Sequence, residues 1–323
     1  MGLRVLVSAP YLVPVFSRFQ PEFDAAGVSA VVANVLERLS ESDLRPYAGE
    51  IDGVVCGDDR FSAEILEASA PRLKVISKWG SGIDSIDRQA ALRLGVRVFN
   101  TPGAFTEAVA DTVLGYVLAF ARQIPWLDAQ MKAGRWIKLP GRALQECTLG
   151  VVGVGRIGKA VLRRARPFGM KLLGHDIVEI DPVFVDAVEV SMTSLDDLLT
   201  EADFVSLHCD LNPSSRQLMD RRAFGRMKPS AVLINTARGP IVEEGALMEA
   251  LGRGRLAGAA LDVFEEEPLP EESPLRRMEQ VLLAPHNANS SRTAWERVHR
   301  ETLANLFRGL GLEIPPAWRQ EHS

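Results

Sequence analysis

LGVVGVGRIGKAVLRRARPFGMKLLGHD, residues 149–176, is the stretch that decides the fold. A short apolar strand leads into Gly153, Gly155 and Gly158, which have the spacing GxGxxG, and an amphipathic helix and a second apolar strand follow. In this context the first glycine permits a tight turn and the second lets the backbone approach a pyrophosphate. The third lets the helix and the strand pack closely. The stretch therefore predicts a βαβ unit that binds a dinucleotide.

The end of the second strand indicates which dinucleotide. Asp176 follows Gly158 by 18 residues, close to the offset at which a carboxylate binds the ribose hydroxyls. No Lys or Arg occurs in residues 177–188 to neutralise a 2′-phosphate, so NAD is predicted rather than NADP. A glycine-rich turn without a ligand is the weaker alternative, because both flanking strands and the helix are present. The predicted cofactor-binding residues here are Gly153, Gly155, Arg156, Ile157, Gly158 and Asp176.

Short apolar runs recur on both sides of this unit, with helical stretches between them. The runs are continuous rather than alternating, which is typical of parallel strands buried on both faces. They predict an α/β fold with two parallel sheets. The first group is LRVLVS (3–8), GVVCG (53–57), LKVIS (73–77) and VRVFN (96–100); the second is LGVVGVG (149–155), KLLGHD (171–176), DFVSLH (203–208), AVLINT (231–236), GAALDVF (258–264) and VLLAP (281–285).

Two helical segments indicate how the units are connected. TEAVADTVLGYVLAFARQIP (106–125) predicts one long helix ended by Pro125. Its apolar residues cover nearly every face, so the helix is expected to be buried between layers. WERVHRETLANLFRGL (295–310) is amphipathic and could return to the first unit. The predicted first domain is therefore discontinuous and comprises residues 1–100 and 290–323. Residues 101–289 form the predicted dinucleotide-binding domain.

The composition argues against several classes of protein. The chain of 323 residues has a formal net charge of −5, so it is not expected to bind nucleic acid. No apolar run approaches the ~18 residues of a membrane span, and Pro10 and Pro14 interrupt the apolar N-terminus, unlike a signal peptide. Three widely spaced cysteines favour the reducing cytoplasm. No metal is expected, because no His/Cys cluster has the spacing of metal ligands.

Charged side chains follow three of the later predicted strands. Arg238 comes after AVLINT, Glu265–Glu267 after GAALDVF and His286 after VLLAP. Ligands of open α/β sheets collect outside the C-terminal ends of the strands, so these side chains could converge. An arginine can clamp a carboxylate, a histidine can donate a proton to the adjacent carbonyl, and a glutamate can favour the imidazolium. Singly, a strand-end arginine usually forms a surface ion pair and a lone histidine is usually structural. Together, behind one dinucleotide motif, they favour a dehydrogenase.

At this point the chain resembles a known family, the D-isomer-specific 2-hydroxyacid dehydrogenases, which include D-3-phosphoglycerate dehydrogenases. The resemblance extends over most of the length and follows the family's order of motifs. It is carried by KWGSGIDSID, NTPGAFTEAVAD, GVVGVGRIGKAV, LHCDLNPSSRQLM, INTARGPIVEEGAL, GAALDVFEEEP and APH. The resemblance implies that Arg238 binds the substrate, that Glu267 pairs with the histidine, and that His286 is the acid/base of hydride transfer at a D-2-hydroxy acid.

Further roles are implied by the same resemblance. Asp262 would hold the nicotinamide carboxamide, and the turn formed by Gly80, Ser81 and Gly82 would cradle the substrate carboxylate. The implied fold is a flavodoxin-like substrate domain with a Rossmann NAD-binding domain, and a homodimer through the latter. GRWIKLPGRALQECTLG (134–150) resembles the family's arm before the first Rossmann strand. The residues implied to line the NAD cleft also include Cys209, Thr236 and Ala237.

The identity of the substrate stays open in the sequence. D-3-phosphoglycerate is one possibility, and a dehydrogenase of phosphite or formate is another. A non-catalytic NAD-sensing protein of the same fold is a third. Asn287 and Asn289 replace a usual glycine/alanine run and could reach the substrate. Lys78 could neutralise a phosphate, but a solvated lysine is the expectation. Trp136 is expected at a packing surface or interface, and His208 in a structural or cleft-lining position.

Overall fold

The chain divides into two compact units in a computed structural model that describes residues 2–319. One unit runs to Phe105 and resumes at Ser291, and the other is Thr106–Ser290. The first boundary falls five residues after the predicted one. The reason is that Asn100 and Thr101 stay with the first unit: the Thr101 amide donates to the Gly80 carbonyl at 2.9 Å, and the Asn100 side chain donates to the Ser81 carbonyl at 2.6 Å.

The first unit contains a five-stranded parallel sheet with the order β2-β1-β3-β4-β5. This is the order of flavodoxin-like folds. Its strands are β1 (Leu3–Val7), β2 (Val28–Val32), β3 (Gly53–Cys56), β4 (Val75–Lys78) and β5 (Arg97–Phe99). Its helices are α1 (Gln20–Ala25), α2 (Glu41–Leu44), α3 (Ala63–Ser69), α4 (Arg88–Arg93) and α12 (Arg292–Leu310), with 3₁₀ turns at Val13–Arg18, Arg45–Tyr47 and Pro316–Trp318.

The second unit contains a seven-stranded parallel sheet with the order β12-β11-β10-β9-β6-β7-β8. The chain reverses direction across this sheet at β6, as in a Rossmann fold. Its strands are β6 (Thr148–Val152), β7 (Lys171–His175), β8 (Ser191–Met192), β9 (Phe204–Leu207), β10 (Val232–Asn235), β11 (Gly258–Leu261) and β12 (Val281–Leu283). Its helices are α5 (Thr106–Ala121), α6 (Ile124–Lys132), α7 (Arg156–Ala165), α8 (Pro182–Val188), α9 (Leu195–Glu201), α10 (Arg221–Arg226) and α11 (Glu244–Gly252), with 3₁₀ turns at Leu144–Glu146, Arg166–Phe168, Gly239–Ile241 and Pro274–Arg277. The predicted α/β fold class is confirmed.

The C-terminal helix α12 packs on the sheet of the first unit. A Cβ on Gly309 would lie 2.2 Å from the Val75 side chain, and one on Gly53 would lie 2.9 Å from Leu306. Ser77 in β4 donates to the Thr302 carbonyl at 2.7 Å. These close approaches attach α12 to the centre of the sheet, which makes the first unit discontinuous in sequence.

The long helix predicted over residues 106–125 is two helices. α5 ends at Ala121, Gln123 has a φ of 57°, and Pro125 lies in the first turn of α6. Proline fits there because the first-turn amides of a helix have no partner within the helix. The prediction that nearly every face is buried was also wrong, since Glu107 and Asp111 on α5 are exposed and pair with Arg164. Within residues 2–319, no helix combines the length and apolar composition of a membrane span.

Candidate active site

The glycine motif forms the turn between β6 and α7. Gly153 has a φ of 91°, and a Cβ there would lie 2.5 Å from the Cys209 amide nitrogen. A Cβ on Gly158 would lie 2.1 Å from the Gly153 carbonyl oxygen. These two positions therefore require glycine for conformation and for packing, independently of any ligand.

Gly155 differs from its two neighbours in the motif. A Cβ on Gly155 would meet nothing within 4 Å, although the residue begins α7. The position faces open space where the first amides of α7, from Arg156 and Ile157, leave room for an anion. Because the structure itself does not demand glycine here, the open space fits a group that approaches the backbone closely, as a pyrophosphate does.

Asp176 lies at the end of β7 beside this turn. One carboxylate oxygen accepts the Val154 amide at 2.7 Å, and the other accepts the Val178 amide at 3.2 Å. A carboxylate has about four acceptor positions, so Asp176 keeps capacity for ribose hydroxyls. Thr236, after β10, has a buried hydroxyl without a hydrogen-bond partner in the part of the chain that the structure describes. The residues present therefore fit a dinucleotide.

His208 and Cys209 follow β9 at the same edge of the sheet. The His208 ring nitrogen Nε2 lies 2.8 Å from the Ser206 hydroxyl, and burial lowers the pKa of His208 to about 3. Burial also raises the pKa of the Cys209 thiol to about 11. The ring is therefore neutral and the thiol protonated near neutral pH, so neither side chain is suited to proton transfer or nucleophilic attack.

Arg238 lies in a loop fixed at both ends. Asn235, the last residue of β10, donates to the Arg238 carbonyl at 3.0 Å and accepts the Ala237 amide at 3.1 Å. The Arg238 guanidinium donates to the Ala237 carbonyl at 2.8 Å. A Cβ on Gly239 would lie 1.8 Å from the Phe264 carbonyl oxygen. This close approach brings the Arg238 loop against the segment that leads to Glu267.

Glu267 and His286 form the pair that the sequence predicts. The Glu267 oxygen Oε2 lies 3.2 Å from Nδ1 of His286, and Oε1 accepts the Phe264 amide at 2.9 Å. The two side chains are 10% and 19% exposed. The carboxylate is thus oriented by the backbone and in turn orients the ring. A proton on Nδ1 satisfies this contact and directs Nε2 away from Glu267.

The loop that carries His286 is held by Asp262. The carboxylate of this buried residue accepts the amides of Asn287 at 2.8 Å and Ala288 at 2.9 Å, and the Asp262 carbonyl accepts the His286 amide at 2.7 Å. Burial raises the pKa of Asp262. His286 has a φ of 50°, in the left-handed region that few non-glycine residues adopt. Sequence reasoning missed this backbone role of Asp262.

The predicted carboxylate cradle lies in the first unit, after β4. Gly80 has a φ of 120°, and its amide donates to the Thr101 hydroxyl at 3.2 Å. The amides of Ser81 and Gly82 have no acceptor among residues 2–319. The turn therefore offers two neighbouring amides to an anion, and Gly80 supports the turn.

Lys78 and two histidines make contacts with other protein groups. Lys78 was expected to be solvated, but it is 3% exposed. It pairs with Asp58 at the carboxyl ends of β3 and β4. The Trp79 ring nitrogen donates to Nδ1 of His299 at 2.9 Å. His175 lies 3.1 Å from the Thr193 carbonyl. These contacts give both histidines packing roles.

Comparison with known proteins decides the family. Residues 114–288 match the model of the D-isomer specific 2-hydroxyacid dehydrogenase NAD-binding domain. The chain belongs to the D-isomer-specific 2-hydroxyacid dehydrogenase family. A glyoxylate reductase of Thermofilum pendens is 42% identical over 86% of this chain and 84% of the relative. A D-3-phosphoglycerate dehydrogenase of Methanocaldococcus jannaschii is 38% identical over 85% of this chain and 52% of the relative.

A solved structure supports the same assignment. The D-lactate dehydrogenase of Aquifex aeolicus, complexed with NAD and lactic acid, has a TM-score of 0.80 and 28% identity, covering 93% of each chain. This D-2-hydroxyacid dehydrogenase is accordingly an NAD-dependent oxidoreductase with a Rossmann domain. The predicted family, enzyme class and cofactor are confirmed.

Proposed function

We propose that this dehydrogenase reduces a small 2-oxo acid, glyoxylate foremost, to the corresponding 2-hydroxy acid, which has the D configuration where C2 is chiral. The observation that carries the proposal is the Glu267–His286 pair, in which Nδ1 of the ring is held at 3.2 Å by an oriented carboxylate. We assign proton exchange with a substrate oxygen to the other ring nitrogen, Nε2. NADH, when bound, supplies the hydride. We assign the cofactor contacts to the glycine motif and Asp176.

Residues of the chain donate the proton and bind the charged groups of the substrate. In the direction of reduction, Nε2 of His286 donates its proton to the carbonyl oxygen as the carbonyl carbon gains the hydride. The carbonyl becomes a hydroxyl, and solvent later returns a proton to the ring. Glu267 stabilises the charged imidazolium before transfer. Arg238 is suited to bind a carboxylate through two parallel N–H bonds. The Ser81 and Gly82 amides are assigned to the substrate carboxylate.

The surroundings of Lys78 favour an unphosphorylated substrate. Its ammonium is buried and lies 3.3 Å from the Asp58 carboxylate, so it is not exposed to bind a phosphate. The relative named a glyoxylate reductase aligns over most of its own length. Reduction of 3-phosphohydroxypyruvate, the keto acid of D-3-phosphoglycerate, is the second candidate, and the D-3-phosphoglycerate dehydrogenase relative favours it.

A substrate panel tests this choice. Glyoxylate, hydroxypyruvate, pyruvate and 3-phosphohydroxypyruvate are each supplied with NADH, and loss of the absorbance of reduced nicotinamide is followed. We expect kcat/KM for glyoxylate or hydroxypyruvate to exceed that for the phosphorylated acid by about tenfold or more, a difference of about 1.4 kcal/mol in transition-state binding. Preference for the phosphorylated acid would establish the second candidate, and no turnover of any acid would refute the proposal.

We also propose a homodimer through the NAD-binding domain. The irregular segment between α6 and β6 exposes large apolar side chains, Trp136 at 81%, Ile137 at 45% and Leu139 at 37%. Contiguous exposed apolar residues commonly mark a protein interface.

Sedimentation tests this dimer. The wild-type chain should sediment as a dimer, and Trp136→Ser with Ile137→Ser should give a larger monomer fraction. A wild-type monomer at high concentration would contradict the proposal.

We also propose a cytoplasmic location. Cys56, Cys147 and Cys209 are free thiols, which fit a reducing compartment.

A further inference from the structure

Lys78 occupies an unusual position for a lysine. It is the last residue of β4, directly before the turn at Gly80–Gly82, and its side chain is 4% exposed. Across residues 2–319, it is the one lysine or arginine in the buried class. Burying an ammonium costs free energy unless the charge is paired and hydrogen-bonded. The burial of Lys78 therefore depends on the groups that contact its ammonium.

The contacts of Lys78 direct its charge toward the turn. Nζ lies 3.3 Å from Oδ1 of Asp58 and donates to the Trp79 carbonyl at 3.2 Å. A Cβ on Gly80 would lie 3.6 Å from Nζ, and no atom of Asp58 comes within 4 Å of that position. The positive end of the pair is thus the end nearer to the turn that presents the Ser81 and Gly82 amides.

Two carboxylates that follow β3 oppose the positive charge of Lys78. Asp58 is the direct partner of Lys78. Asp59 is fully buried, accepts the Leu39 amide at 2.9 Å and bonds to the Ser8 hydroxyl. Burial raises the pKa of Asp59 to about 6, although Lys78 acts in the opposite direction, so Asp59 is ionised at pH 8. With Lys78 neutralised, two negative charges would remain beside the turn.

We propose that the Lys78–Asp58 pair sets the affinity of the turn for an anion, with Lys78 increasing it and Asp58 limiting it. The ligand class is a monoanionic carboxylate, bound by the Ser81 and Gly82 amides above the buried ammonium. Lys78 is thus a positioning residue that acts through the backbone of the turn and does not touch the substrate. The inference rests on the proposed function for the identity of that carboxylate as a 2-keto acid.

Replacing Asp58 and replacing Lys78 should change the affinity for an anion in opposite directions. Oxamate, an unreactive monoanionic analogue of a keto acid, is titrated into the full enzyme saturated with NADH at pH 8, and tryptophan fluorescence is followed. Asp58→Asn should tighten oxamate binding about threefold or more, because it removes one of the two negative charges that oppose the ammonium. Lys78→Met should weaken binding about tenfold or more. Lys78→Met with Asp58→Asn should return to within about threefold of wild type. The Kd of NADH should not change in any variant.

A purely structural role predicts a different pattern. If the pair only holds the turn in shape, both single changes weaken oxamate binding and the double change is no better than either. That result, or unchanged binding in Asp58→Asn, would overturn the inference. Asp58→Asn retains the size of the side chain, so it gives an answer even if Lys78→Met does not fold. If the wild type reduces no keto acid but the oxamate pattern holds, the proposed function fails and the anion inference stands.

Discussion

Replacing His286 by alanine is expected to lower kcat for keto-acid reduction by about three orders of magnitude while NADH still binds. The ring is the group that Glu267 orients, at 3.2 Å between Oε2 and Nδ1. Without it, the carbonyl oxygen must take its proton from water, and general acid catalysis contributes about 10²–10⁴-fold. Steady-state kinetics give kcat, and quenching of protein fluorescence by NADH gives its Kd.

Glu267→Gln provides the graded comparison for that variant. The amide keeps the size of the side chain but removes the negative charge that stabilises the protonated ring, so kcat should fall by less than in His286→Ala, by about ten- to a hundredfold. Both variants should keep the wild-type Kd for NADH, because the cofactor contacts are assigned to the glycine motif and Asp176. Near-normal kcat in His286→Ala, with full saturation by both substrates, would remove the histidine from the mechanism.

Gly155→Ala is expected to raise the Kd of NADH by about a hundredfold without loss of stability. A Cβ there meets no protein atom within 4 Å, and the residue has a φ of −76°, which alanine adopts freely. The methyl group would therefore occupy the space where the backbone must approach the pyrophosphate. NADH titration and thermal unfolding of the same preparation separate the two effects.

Gly158→Ala and Gly245→Ala are the matched controls. A Cβ on Gly158 would lie 2.1 Å from the Gly153 carbonyl oxygen, so this change should cost about 3 kcal/mol of folding free energy. A Cβ on Gly245, in α11, also meets nothing within 4 Å, and that change should affect neither property. Wild-type affinity for NADH in Gly155→Ala would mean that the cofactor does not approach this turn.

The sequence was sufficient to predict the elements whose signal is local. The apolar runs predicted ten strands, because strands buried on both faces need unbroken apolar residues. Two edge strands were missed. β2, VSAVV, and β8, SM, each pair with one neighbour only and are partly exposed, so their composition is less distinctive. The end of α5 was also missed, because Pro125 can end one helix or begin another.

Contacts between distant segments could not be predicted in the same way. The amides that Asp262 accepts lie 25 and 26 residues further along the chain, and a backbone amide leaves no mark in the sequence. Lys78 was predicted to be exposed because most lysines are, but it is buried. Its burial depends on Asp58, which comes from another strand end. The Glu267–His286 pair was anticipated from the family resemblance, whereas the Phe264 amide that orients the pair was not.

A crystal structure of the enzyme with NADH and oxamate tests the role of His286 most directly. We expect an oxamate oxygen about 3 Å from Nε2 of His286, with Nδ1 still paired to Glu267 and the pyrophosphate against the backbone at Gly155. An oxamate bound elsewhere, with Nε2 facing solvent or the protein interior, would contradict the assignment of His286 as the proton donor.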